Sequence, residues 1–145
     1  MRREVIRPWP VMAEHPAPFV PAIKTIIGNT QLLFISGMGA LPAVHRHPHV
    51  PEEWMLPDDA AEQARRAFEK IRLIVEKAGG QFSDIVKITR YLKDMGDQDK
   101  INEVVREFFG EYLPCSTTVQ VAGFVAPTMK LEFDCWAVIG SGNNK

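Results

Sequence analysis

Residues 129–139 read Met-Lys-Leu-Glu-Phe-Asp-Cys-Trp-Ala-Val-Ile, a run whose apolar members recur at every second position. Side chains of a strand point alternately to opposite faces. Met129, Leu131, Phe133, Cys135, Ala137 and Ile139 therefore make one apolar face, and Lys130, Glu132, Asp134, Trp136 and Val138 make the other. The first face is built for a core. The second mixes two carboxylates with an aromatic and an aliphatic residue, and is either wetted, as one face of an antiparallel sheet commonly is, or covered by another surface. Glu132 stands out on it. A carboxylate in so apolar a strand is costly unless it is paired, hydrated or protonated, and such placements often mark a working site.

The rest of the chain supplies the elements that this strand needs. Residues 22–27 and 31–36 are β-rich and are separated by Gly28-Asn29-Thr30, which predicts a hairpin. Asp58 or Asp59 is placed to cap a helix whose apolar positions (Ala61, Ala64, Phe68, Ile71, Val75, Ala78) recur every three or four residues, and Gly79-Gly80 is placed to end it. A third strand is expected over 84–92, a second helix over 98–109 with Gly110 as its stop, and two more strands over 117–121 and 129–139. This order predicts an α+β domain of two layers, both helices on one face of a mixed sheet. Ser116, Thr118 and Gln120 are expected to share the helix-free face with Glu132, and a face of that composition points to self-association.

Residues 37–57 form an irregular insertion with four prolines and three histidines, longer than ordinary connections. His45, His47 and His49 alternate as ligands on an extended segment would, and with Glu52 they offer donors for zinc or another transition metal. A Pro-rich loop does not guarantee convergence, so the preferred reading is a solvated loop, with no metal and no cofactor.

With 145 residues and 46% hydrophobic composition the chain reads as one globular domain. A net charge of −1 gives no basic stripe for nucleic acid. No segment reaches the roughly 20 apolar residues of a membrane span, and no apolar leader is read, so the expected place is the cytoplasm. Cys115 and Cys135 are read as reduced thiols, although neighbouring strands would let them meet.

The segments LLFISG (32–37), DDAAEQARRAFEKIRLIVEKAGGQFSDIVKITRYLKDM (58–95), INEVVREFFG (101–110) and PCSTTVQVAG (114–123) together resemble the Rid family, the reactive-intermediate deaminases formerly called YjgF proteins. The resemblance spans about residues 17 to 139. It implies a chorismate-mutase-like subunit in a homotrimer with sites between subunits. It further implies cofactor-free hydrolysis of small enamines and imines to an oxo product and ammonia. The family's water-positioning glutamate falls on Glu132, its serine on Ser36 followed by Gly37, and its asparagine on Asn102. Its tyrosine falls on Phe19. Where the family has Pro-Ala-Arg-Ser, this chain has Pro114-Cys115-Ser116-Thr117, so the arginine that grips the substrate carboxylate is replaced by Ser116. Serine cannot replace a bidentate, charge-assisted contact. The anionic end of the substrate is then held elsewhere or is absent, and larger conjugated enamines of the aminomuconate type become candidates.

Arg90 is one such holding residue, with a stem packed toward the sheet edge as the other reading. Lys24 and Arg46 are further cations, and Trp9 and Trp54 are wall aromatics or packing residues. The expected site is Glu132 with Phe19, Ser36, Gly37, Arg90, Asn102, Ser116 and Thr118. A non-catalytic small-molecule-binding trimer is the alternative, and a ribonuclease-like role fits the charge balance least.

Overall fold

The computed structural model of the protein describes residues 1–140. Its order is β1 (Arg2–Ile6), β2 (Ala22–Ile27), β3 (Thr30–Met38), α1 (Ala60–Lys77), β4 (Ile85–Leu92), α2 (Gln98–Phe109), β5 (Cys115–Gln120) and β6 (Leu131–Gly140). The strands form one sheet in the order β1-β2-β3-β6-β4-β5. β3 and β4 each pair antiparallel with β6, so they run parallel to one another with a slot between them that β6 fills. β4 and β5 are parallel, joined by α2. This is the expected two-layer α+β arrangement with a mixed sheet.

Each helix has a local cause. Asp59 caps α1 by accepting from the Glu62 backbone N–H, and Gly79, at φ +90°, provides the left-handed exit that a side chain would strain. α2 covers the residues foreseen, and Gly110 follows it at φ +56°. The inward faces of both helices meet Leu131, Phe133, Cys135, Ala137 and Ile139 of β6, all buried. Phe68 is the centre of that seam: it stacks on Phe133 with ring centroids 4.5 Å apart and lies near Phe82, Phe108 and Phe109.

The structure corrects three expectations. A strand, β1, precedes the first one expected from the sequence; its register against β2 runs from Arg2↔Ile26 to Ile6↔Ala22. β4 separates β5 from β6, so Cys115 and Cys135 are not on neighbouring strands, and both are free thiols. The register Ile88↔Ser116 and Arg90↔Thr118 puts Ser116, Thr118 and Gln120 on the helix side of the sheet, not on the face of Glu132. They are still mostly accessible because β5 is the outermost strand and the helices do not cover it.

The helix-free face carries Glu132 and Asp134 beside an apolar patch. Phe34 and Trp136 are register partners in edge-to-face contact at 5.3 Å, and Trp136 is 55% exposed. No helix among the described residues is long and apolar enough to cross a membrane.

Gln63, fully buried on α1, fastens the insertion to the sheet. Its Nε2 donates to the carbonyls of Pro57 (2.8 Å) and Thr128 (2.9 Å), and its Oε1 accepts from the Lys130 backbone N–H (2.9 Å). Replacing it orphans three backbone groups, each costing about 1–3 kcal/mol where water cannot reach. Gln63→Leu is therefore expected to lower stability by about 2–4 kcal/mol in urea denaturation, despite its added apolar surface.

Candidate functional site

The bulge in β3 between Ile35 and Met38 breaks the ladder to β6 beside Glu132. Here Gly37 has no side chain, and a Cβ at that position would collide with the Glu132 carboxylate. The glycine is thus the space into which the acid folds. Ser36 donates through Oγ to the Val20 carbonyl (2.7 Å), and its backbone N–H donates to Pro21 (2.9 Å), which draws the segment bearing Phe19 against β3.

These residues line a cavity of about 450 Å³. Its walls include Trp9, Phe19, Met38 and Met129, and its polar groups include Ser36, Lys70, Glu132 and the three insertion histidines. A mostly apolar concavity with a few convergent polar groups is the usual form of a small-molecule site.

Two ionisable groups in it are displaced from their ordinary behaviour. Burial holds the Glu132 carboxyl above its usual range, with the charge of Asp134 acting in the same direction and that of Lys70 against it. Asp134 is itself occupied as acceptor from the Tyr91 hydroxyl at 3.0 Å. Burial pulls the Lys70 ammonium down to about 8, with Glu132 opposing, while its Nζ donates to the Leu41 carbonyl at 2.7 Å. An acid shifted up and an amine shifted down facing one cavity are suited to moving protons near neutral pH.

Phe19, Ser36, Gly37 and Glu132 line one cavity with Trp9, one of the candidate wall aromatics, and the structure adds Lys70, Arg7 and His15. Lys70 carries a sequence signal: it lies three residues after Ala67 and four before Ile74, both buried, on the edge of the inward stripe of α1. Arg90, Asn102, Ser116 and Thr118 do not line this cavity. Arg90 points to the helix side, where Nη1 donates to Asn102 Oδ1 at 2.6 Å; it is only 8% exposed, and its Nε has no partner. Among the described residues no carboxylate lies within ion-pair distance of it. These four residues form a second group along the β4–β5 margin, with Thr118 beside Arg90 in register.

Lys24 is committed to Glu4 (3.1 Å) and the Ala78 carbonyl, and Arg46 to Glu53 (3.3 Å), so neither lies idle. Trp54 packs in a small cluster with Leu41, Ala126 and Met129, its indole N–H buried without a partner.

The histidines of the insertion converge. Their ring centroids lie 4.5–5.2 Å apart, and His47 meets Phe19 edge-on at 5.6 Å. Burial, then the neighbouring His45 and His49, lower the pKa of His47, against the pull of Glu53.

A sequence model of the family described as Endoribonuclease L-PSP matches residues 12–139. A RutC family protein of Pyrococcus abyssi is 40% identical over 105 residues, covering 72% of this chain and 74% of its own length. The 3-aminoacrylate deaminase RutC of Acinetobacter baylyi is 34% identical over 116 residues, covering 80% and 82%. The crystal structure of Escherichia coli TdcF with bound serine superposes with a TM-score of 0.70 at 30% identity, over 93% of this chain and 98% of that one.

The Lys70 environment has a signature in stability. Its folded pKa, about 8, lies below the ordinary 10.5. The unfolded chain therefore binds more protons between those values, and stability rises with pH across that window. The penalty, at most about 3 kcal/mol, is fully present below pH 8. Lys70→Met is expected to flatten this rise, read as the difference between urea denaturation at pH 7 and pH 10 for the two proteins.

Proposed function

The chain belongs to the Endoribonuclease L-PSP family, the YjgF/Rid proteins, and from that premise we propose that it is a hydrolytic deaminase of a small enamine or imine. The single observation that carries this reading is Glu132: a carboxylate with a raised pKa, turned into an apolar cavity at a glycine that leaves room for it.

The chemistry follows from the placement. An enamine takes a proton on carbon from the protonated Glu132 carboxyl and becomes an iminium ion, leaving the carboxylate. Water adds to the C=N carbon as Glu132 accepts its proton. The resulting carbinolamine breaks its C–N bond as the acid returns the proton to nitrogen and the hydroxyl gives its own proton to the carboxylate, leaving an oxo product, ammonia and the protonated acid. One carboxyl that alternates between acid and base suffices for these transfers, and Lys70 nearby favours its anionic form.

The two residue groups described above suggest where the substrate's other end is held. Phe19, Ser36, Gly37 and Glu132 surround one cavity, while Arg90, Asn102, Ser116 and Thr118 lie along the β4–β5 margin. In a homotrimer packed through the helix-free face, the margin of one subunit completes the cavity of the next. The exposed Phe34, Trp136, Val138 and Val119 support such packing. Ser116 in place of a gripping arginine removes a strong carboxylate contact from that margin, and Arg90, a buried cation with no carboxylate partner among the described residues, is the residue to take over the role. A substrate larger than 2-aminoacrylate, such as an aminomuconate-type enamine, fits this arrangement.

Two measurements test the reading. Ammonia release is followed from freshly generated 2-aminoacrylate, 3-aminoacrylate and aminomuconate-type enamines. Glu132→Gln is expected to lose at least about a hundredfold in kcat, the scale of a positioned acid–base group, and Gly37→Ala to lose activity by displacing the carboxylate at little cost in stability. Equal turnover by wild type and Glu132→Gln removes Glu132 from the mechanism, and no turnover of any substrate favours a non-catalytic binder. Light scattering at micromolar concentration is expected to give three times the chain mass of 16.3 kDa, and Trp136→Glu to reduce it; a monomeric wild type overturns the intersubunit site.

A further inference from the structure

We propose that His45, His47 and His49 form a binding site for one divalent transition-metal ion of the zinc class at the mouth of the Glu132 cavity. One nitrogen from each of the three imidazoles lies within 4.8 Å of the other two. Zinc–nitrogen bonds of about 2.0–2.1 Å in a tetrahedron require nitrogens roughly 3.3–3.4 Å apart. The gap to be closed is thus at most about 1.5 Å.

Three further features separate this cluster from a chance meeting of polar side chains. His45 Nδ1 lies 2.7 Å from the Pro42 carbonyl. A carbonyl can only accept, so Nδ1 carries the proton and Nε2 keeps its lone pair. Metal-bound histidines are oriented by this same kind of partner on the second ring nitrogen.

The loop is also fastened around the cluster. The Arg46 backbone N–H and Nε donate to the two Glu53 oxygens at 3.0 and 3.3 Å, closing a ring of chain that contains His47 and His49. Lys70 holds the start of the insertion at the Leu41 carbonyl (2.7 Å), and Thr128 Oγ1 holds its end at the Trp54 carbonyl (2.6 Å). Much of the ordering cost of assembling three ligands is thus met before a metal arrives.

Finally, all three histidines line the same cavity as Glu132. Three imidazoles leave at least one coordination position free, the pattern of sites that bind an exchangeable ligand rather than purely structural ones. That position takes water or an anionic oxygen, such as a carboxylate of the bound molecule. Imidazole donors select zinc, nickel, copper and cobalt over magnesium and calcium.

The test uses the full chain, free of any histidine tag and stripped with chelator. Cobalt(II) alone is titrated while visible absorption is recorded, and zinc(II) alone is then titrated in competition. The expected result is one equivalent of cobalt per chain, with bands of four- or five-coordinate geometry that zinc abolishes. His47→Ala and His49→Ala are each expected to weaken binding at least about tenfold and the double variant to abolish the bands, with far-UV circular dichroism unchanged. Glu132→Gln is expected to bind metal normally, so this result stands apart from the fate of the deaminase reading. A second measurement needs no substitution: zinc is expected to protect His45, His47 and His49 from acylation by diethyl pyrocarbonate mapped by mass spectrometry. The proposal is overturned by failure of wild type to bind a stoichiometric ion, by binding as tight in the double variant as in wild type, or by uniform acylation with and without zinc.

Discussion

The stack of Phe68 on Phe133 sets the orientation of everything else in the subunit. Phe68 comes from α1, Phe133 from β6, and Phe108 and Phe109 bring α2 to the same point, so four aromatic rings tie both helices to one strand. Because side chains alternate along a strand, burying Phe133 against the helices obliges Glu132 to face the other way. An acid that would be intolerable in the seam is delivered to the cavity by its neighbour's packing. The β3 bulge and Gly37 then provide the volume that its carboxylate occupies. Core and site are consequences of one contact, which is why the acid can be both rigidly aimed and partly buried.

How much of this could be read in the sequence depends on how local each cause is. Helix α2, the Asp59 cap and the two-residue period of β6 are written in contiguous residues, and the structure follows them closely. β1 is not: Arg2, Arg3 and Glu4 have no apolar alternation, and only pairing with β2 makes them a strand. The faces of Ser116 and Thr118 depend on β5 pairing with β4 rather than β6, a choice made by topology. Glu132, Ser36, Gly37 and Phe19 could be named from a resemblance, but Lys70 reaches the cavity over the edge of α1 and declares itself only through its spacing among buried neighbours. The histidines alternate in sequence as strand residues would, yet they meet because the chain between Arg46 and Glu53 folds back on itself.

The electrostatics of the subunit are uneven in an instructive way. Surface pairs such as Arg65–Glu107 at 2.7 Å are solvent-exposed and contribute little to stability. The costly charges are elsewhere, in Lys70, Glu132 and Arg90, each displaced from its ordinary pKa chiefly by burial. A fold that only needed stability would have replaced them with apolar side chains. Their joint presence concentrates unsatisfied electrostatic potential at the cavity and at the β4–β5 margin, the places where a small polar molecule has most to gain.

The slot that β6 fills has a consequence for how the protein is made. Residues 131–140 lie in the middle of the sheet, hydrogen-bonded on both sides, yet they are synthesised after every other strand. Until they leave the ribosome, β3 and β4 have no β6 between them, and the apolar faces of α1 and α2 lack the surface they cover. Unpaired strand edges of this kind recruit other strands. The nascent chain is thus exposed to mispairing until β6 emerges, and ordering of the domain is deferred to that point. Sheet completion depends on a long-range insertion rather than on local hairpins, and a truncation that spares every helix but removes β6 leaves an open template for aggregation in place of a smaller fold.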